Sequence, residues 1–151
     1  MPKPDLPMEG SCRCGATRIR ITAPPLMTAA CHCRGCQKMA ASAFSLTAMV
    51  PTEGFEVIAG EPVRGGAAGD QLSHMCCPDC MTWMFTRITG LDMFLNVRPT
   101  MLDDPSWFTP FIETMTAEKL PWAQTPARHS FEGFPPMEAL ETLMAEFAAE
   151  A

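Results

Sequence analysis

The sequence predicts a mostly antiparallel β fold with one terminal α-helix, and three observations carry that expectation. Fifteen prolines and ten glycines, about one residue in six, punctuate the chain too often for long helices. Short segments that alternate apolar and polar residues recur at the spacing of a meander. Helical periodicity belongs to the last stretch, where Met137, Leu140, Leu143, Met144 and Phe147 share one face and Glu138, Glu141 and Glu146 the other, just after Pro135-Pro136. A helix packed on the body is the expected role of that face.

Taken in order, residues 17–21 alternate as a half-buried strand does, and Pro24-Pro25 stops them. Residues 37–41 suit a short helical turn. Strands are expected at 43–50 and 55–58, with Gly60 and Glu61-Pro62 marking the turn that follows. Residues 64–70 read as a flexible loop before the strand that carries Cys77, and residues 82–86 and 93–97 complete the set of strands. A proline-interrupted tail, 120–134, is expected to wrap the surface. With 151 residues, the whole chain is read as one domain, 1–151.

Seven of the eight cysteines form three tight groups, Cys12-x-Cys14, Cys31-x-Cys33-x-x-Cys36 and Cys77-x-x-Cys80. Two, three and two thiols suit one closed four-thiolate zinc site and one three-thiolate site with a position left open. Cys12 and Cys14 lie some sixty residues before Cys77 and Cys80, so a shared metal would clip a long loop shut. The middle group needs no distant partner. Residues 1–10 contain no hydrophobic run suited to a secretory signal, which makes a reducing cytoplasm the expected location and metal ligation, not disulfides, the expected use of the thiols. The spacings do not follow ferredoxin runs, which favours zinc over iron-sulfur clusters.

Charge narrows the partners. From a formal charge of −6, seven ligand thiolates remove seven and two zinc ions return four, which leaves −9. Eleven scattered basic residues on so acidic a chain do not form a polyanion-binding surface, so nucleic acid is not an expected partner. Nor is a membrane, because the most apolar stretch, 40–50, is interrupted by Ser42, Ser45 and Thr47 and is far shorter than the ~18 residues of a spanning helix.

Three motifs carry a family resemblance. Gly10-Ser11-Cys12-Arg13-Cys14-Gly15-Ala16, Cys31-His32-Cys33-Arg34-Gly35-Cys36-Gln37-Lys38 and His74-Met75-Cys76-Cys77-Pro78-Asp79-Cys80 resemble, in order and spacing, those of the glutathione-dependent formaldehyde-activating enzyme family, also called the centromere protein V family. The similarity spans roughly residues 9–123, with a surface tail and the C-terminal helix in 124–151. It implies a β-tent fold of small antiparallel sheets, a structural zinc on Cys12, Cys14, Cys77 and Cys80, and a second zinc on Cys31, Cys33 and Cys36. It also implies a carbon–sulfur lyase activity, run as the addition of glutathione to formaldehyde. Two departures stand out: Met81 occupies the position after the last cysteine, usually glycine, and Cys76 stands where an aromatic residue often precedes the third motif.

Three thiolates on zinc suit a sulfur nucleophile better than hydrolysis. The expected chemistry binds a thiol, such as glutathione, at the open position of Cys31, Cys33 and Cys36, holds it as thiolate below its usual pKa of ~8.5, and lets it attack a small electrophile. Cations must offset the accumulating charge; Arg34 and Lys38 lie beside the ligands, with Arg98 and Lys119 further along the chain. His32 is either a proton shuttle or a solvent-facing or hydrogen-bonded imidazole, while His74 and His129 read as a strand and a tail histidine. Cys76, opposite Cys77 in the strand alternation, reads as a buried free thiol. Trp83, Trp107 and Trp122 read as packing residues, with Trp122 able to line a pocket. The competing reading is a non-catalytic, zinc-stabilised protein-interaction module whose fourth ligand comes from its own chain.

Overall fold

Eleven short strands and two α-helices make up the described residues, 3–66 and 69–150, of the computed structural model. In chain order they are β1 (Met8–Ser11), β2 (Arg18–Ile21), β3 (Met27–Cys31), α1 (Arg34–Ala40), β4 (Ser45–Pro51), β5 (Phe55–Ala59) and β6 (Val63–Gly65). Then follow β7 (Leu72–Cys76), β8 (Trp83–Ile88), β9 (Leu91–Val97), β10 (Ile112–Thr114), β11 (His129–Ser130) and α2 (Met137–Ala149). The strands form a three-stranded sheet, β1-β2-β5, and an eight-stranded sheet ordered β11-β10-β3-β4-β9-β8-β7-β6. The fold is mostly β with a C-terminal helix; β10, which runs parallel to both β3 and β11, departs from the antiparallel pattern.

Period-two alternation gives the large sheet two different faces. One face sends Val50, Met84, Leu95 and Val97 against Ile19 and Ile21 of the small sheet, and all six side chains are fully buried. The opposite face presents Met27, Met49 and Ile112, on which α2 lays Leu143, with Leu140, Met144 and Phe147 packed alongside. The terminal apolar stripe is therefore spent on the body of the protein. None of the described helices is long and apolar enough to cross a membrane.

Several elements differ from the expectation. β3 is not among the expected strands, because it sits inside the large sheet, where burial on both faces removes the alternation. The stretch expected to be loop from residue 64 begins inside β6, which pairs with β7; Ala67 and Ala68 of that stretch lie outside the described residues. The tail does not only wrap the surface: His129–Ser130 enters the edge of the large sheet as β11. Such two- and three-residue strands are too short to display a period. α1 begins at Arg34, ahead of the expected turn at 37–41, because the Cys33 sulfur accepts a hydrogen bond from the Cys36 amide at 3.2 Å and caps the first turn.

A buried polar chain ties β10 to its neighbours. His32 Nε2–H donates to Glu113 Oε1 at 2.7 Å, and Ser130 Oγ–H donates to Glu113 Oε2 at 2.8 Å. His32 is fully buried, so it is the hydrogen-bonded imidazole of the two readings.

Candidate metal centres and the cavity beside them

Two turns far apart in the chain bring Cys12, Cys14, Cys77 and Cys80 together. Cys12 and Cys14 bracket the turn after β1, and Cys77 and Cys80 occupy the turn between β7 and β8, tied by the Met81 amide donating to the Cys77 carbonyl at 2.9 Å. The four sulfurs lie within 4.8 Å of one another. Cys12 Sγ and Cys14 Sγ are 3.5 Å apart, and Cys14 Sγ and Cys77 Sγ 3.8 Å. A zinc tetrahedron with bonds of about 2.3 Å has sulfur–sulfur edges of about 3.8 Å, so this set fits the ion. Amides support the sulfurs as anions: Thr17 N–H donates to Cys12 Sγ at 3.3 Å and Asp79 N–H to Cys77 Sγ at 3.4 Å. The Thr82 hydroxyl, with the Cys14 and Thr82 amides, holds Cys80 down to about 5.

The second group is local. Cys31 ends β3, Cys33 caps α1 and Cys36 lies in its first turn; their sulfurs also lie within 4.8 Å of one another. Three sulfurs on a strand end and a helix start make a trigonal base for zinc, and among the described residues no fourth Cys, His, Asp or Glu joins them. Cys31 is held down to about 5, first by the Cys36 thiol and then by the Thr114 hydroxyl, whereas Cys36 is pushed up by its Cys31 neighbour and by burial.

A cavity of about 330 Å³ opens beside this group on the α2 face of the large sheet. Its wall follows strand alternation. Along β3 the residues facing it run Met27, Ala29, Cys31; along β4 Met49, Thr47, Ser45; along β9 and its end Phe94, Asn96, Arg98. Three more strands, β10, β8 and β7, repeat the order, with Ile112 then Thr114, Ile88 then Thr86, and Leu72 then His74. Strand directions place the apolar member of every series at the same end and the polar member at the cysteine end. Phe134, Pro135, Met137 and Leu140 add to the wall.

Arg98 is the one formally cationic side chain lining this cavity among the described residues. It is 9% exposed, stacks its guanidinium 4.1 Å from the Trp83 ring centroid and donates through Nη1 to the Leu46 carbonyl at 3.0 Å. Burial lowers it to about 10, with the Cys36 and Cys31 charges opposing, so it remains protonated at neutral pH. Its Nε has no hydrogen-bond partner among the described residues. Thr86 Oγ accepts from Trp83 Nε1–H at 3.0 Å and sits 2.9 Å from His74 Nδ1; burial, then Arg98 and Arg64, lower His74 and keep it neutral.

A family model described as glutathione-dependent formaldehyde-activating enzyme matches residues 7–118, well over half of the chain. The protein belongs to that family. Its fold is similar to the crystal structure of a Rhodobacter sphaeroides protein from a structural genomics programme, with a TM-score of 0.53 and 19% identity over 64% of this chain and 88% of that one. No curated protein sequence matches it. The family region ends before β11 and α2, so Phe134, Pro135, Met137 and Leu140 are cavity residues supplied from beyond it.

For this family member the cationic neighbours are not those nearest in sequence. Arg34 is exposed and bound to Gln37 Oε1 at 2.7 Å, while Glu118 takes its amide at 2.9 Å; Lys38 is exposed on α1; neither lines the cavity. Lys119 adds its charge around Glu113. Arg98 had a signal in the alternation Phe94, Asn96, Arg98, which assigns it to the same face as Cys31 once β3 and β9 are known to share a sheet. His129 donates to Glu146 at 3.0 Å and anchors the tail to α2. Cys76 is buried apart from both groups, and burial pushes its thiol up. Trp107 is buried, Trp83 lines the cavity and Trp122 is 72% exposed.

Proposed function

We propose that this protein is a zinc-dependent carbon–sulfur lyase-like enzyme that adds a thiol, of which glutathione is the family's namesake, to formaldehyde or a similar small carbonyl compound. The observation that carries this reading is the contrast between four gathered sulfurs at one site and three at the other, where two of the three, Cys31 and Cys36, line a cavity that also holds a buried arginine. On this reading Cys12, Cys14, Cys77 and Cys80 hold a structural zinc, and Cys31, Cys33 and Cys36 hold a catalytic one. When bound there, zinc supplies a Lewis-acid position that favours the thiolate form of an incoming thiol.

The chain's own residues account for the rest. Arg98 offsets the negative charge that three thiolates and an incoming fourth gather around one divalent ion. The Thr114 and Ser45 hydroxyls hold the Cys31 and Cys36 sulfurs in place. In the reaction a sulfur–carbon bond forms, the carbonyl π pair moves to oxygen, and the thiol's proton ends on that oxygen; nothing is oxidised or reduced. On this reading neutral His74, which lines the same cavity, takes up and returns that proton. Exchange NMR of a thiol–formaldehyde mixture tests the proposal. Zinc-loaded protein should accelerate exchange, and Cys33→Ser or Arg98→Met should reduce the acceleration by at least tenfold, given the cost of removing one partner of a buried charge pair. Arg34→Ala and Lys38→Ala should retain it. Exchange at the uncatalysed rate would refute the activity.

A further inference from the structure

We infer that the thiol this cavity selects has an apolar body and at most one anionic group, and that residues 134–140, beyond the family region, set this preference. The inference rests on the thiol-binding reading above and adds the substrate class. Six strands of one sheet present apolar residues at one end of the cavity and polar ones at the cysteine end, which matches a ligand with a reactive polar head and an apolar tail. Glutathione has the opposite character, since its body carries two carboxylates and an ammonium. Arg98 can pair with one anionic group, and its Nε is buried without a partner. A second carboxylate would lie against Phe94, Ile112 or Leu140, where an unpaired charge is strongly disfavoured. The cavity's size of about 330 Å³ also favours a compact ligand, being at the low end of the roughly 300–1,000 Å³ range of small-molecule pockets.

The rim points the same way. Phe134 and Met137 are 69% and 64% exposed, although α2 buries Leu143 close by. Large apolar side chains left in water at the edge of a cavity mark a surface completed by a ligand. Because both are exposed, their replacement tests binding without removing the core contacts of α2.

Calorimetric titration of the zinc-loaded full chain with benzyl mercaptan, glutathione and 2-mercaptoethanol decides the matter. Benzyl mercaptan should bind at least tenfold more tightly than glutathione, with the negative heat-capacity change of apolar burial. The double variant Phe134→Ser, Met137→Ser should weaken benzyl mercaptan about tenfold, as expected for losing two apolar contacts, and leave 2-mercaptoethanol unchanged. Glutathione binding as tightly as benzyl mercaptan, or a double variant that binds benzyl mercaptan as the parent does, overturns the inference and leaves the thiol-binding reading standing. If no thiol binds saturably, that reading falls and takes the inference with it.

Discussion

Met81 is the residue whose backbone most directly reflects a choice in the sequence. It follows Cys80, has φ of 61°, and is 57% exposed. The turn that presents Cys77 and Cys80 needs a left-handed residue there, and a side chain with a Cβ resists that conformation. Met81→Gly is therefore expected to stabilise the zinc-loaded protein by about 1 kcal/mol, after allowing for the greater freedom glycine gives the unfolded chain, as read from its urea midpoint. The strain was foreseeable from the departure at this position, although the sequence left open whether the turn would relax instead. Arg98 shows the opposite limit. Nothing in its sequence neighbourhood links it to Cys31 and Cys36; only strand order does, whereas Arg34 and Lys38, adjacent in sequence, are turned outward by the helix that Cys33 caps.

Among elements, β10 and α2 are held by different forces, and each gives its own prediction. β10 is a three-residue strand secured by the Glu113 carboxylate between His32 and Ser130. Burial pushes this carboxyl up, but the Ser130 and His32 hydrogen bonds outweigh it, and the group ends below the usual glutamate range. A lowered folded-state pKa contributes stability above the unfolded value of about 4.3 and loses it as the pH falls through the folded value. Glu113→Gln should cost about 1–3 kcal/mol near neutrality, and its difference from the parent should shrink below pH ~4. Denaturant unfolding of both proteins across pH measures this, since acid release of zinc is common to the two and cancels in the difference. α2 is held by apolar contact through Leu143, which is 6% exposed. Leu143→Ala should cost about 2–4 kcal/mol in the same assay. Periodicity sufficed to place α2, but β10 and β11 carry no such signal, because a strand this short is defined by its partners.

For the whole molecule, the proposed function divides support from chemistry between the two cysteine groups. The four-cysteine group joins the turn after β1 to the turn after β7 and closes a loop of some sixty residues. The three-cysteine group spans six residues and closes almost nothing. Graded chelation should thus occur in two stages: release of the first zinc abolishes thiol binding with the circular dichroism of the fold retained, and release of the second unfolds the protein. Zinc content measured beside ellipticity checks the order, which reverses if the four-cysteine site empties first. The sequence by itself determined the grouping of the thiols, the β class and the terminal helix, because ligand spacing, turn residues and hydrophobic period are local properties. Tertiary structure alone decided which cation shares the cavity with Cys31 and Cys36 and how polarity is graded along it. Both depend on register between strands far apart in the chain, and register is fixed by pairing across the sheet.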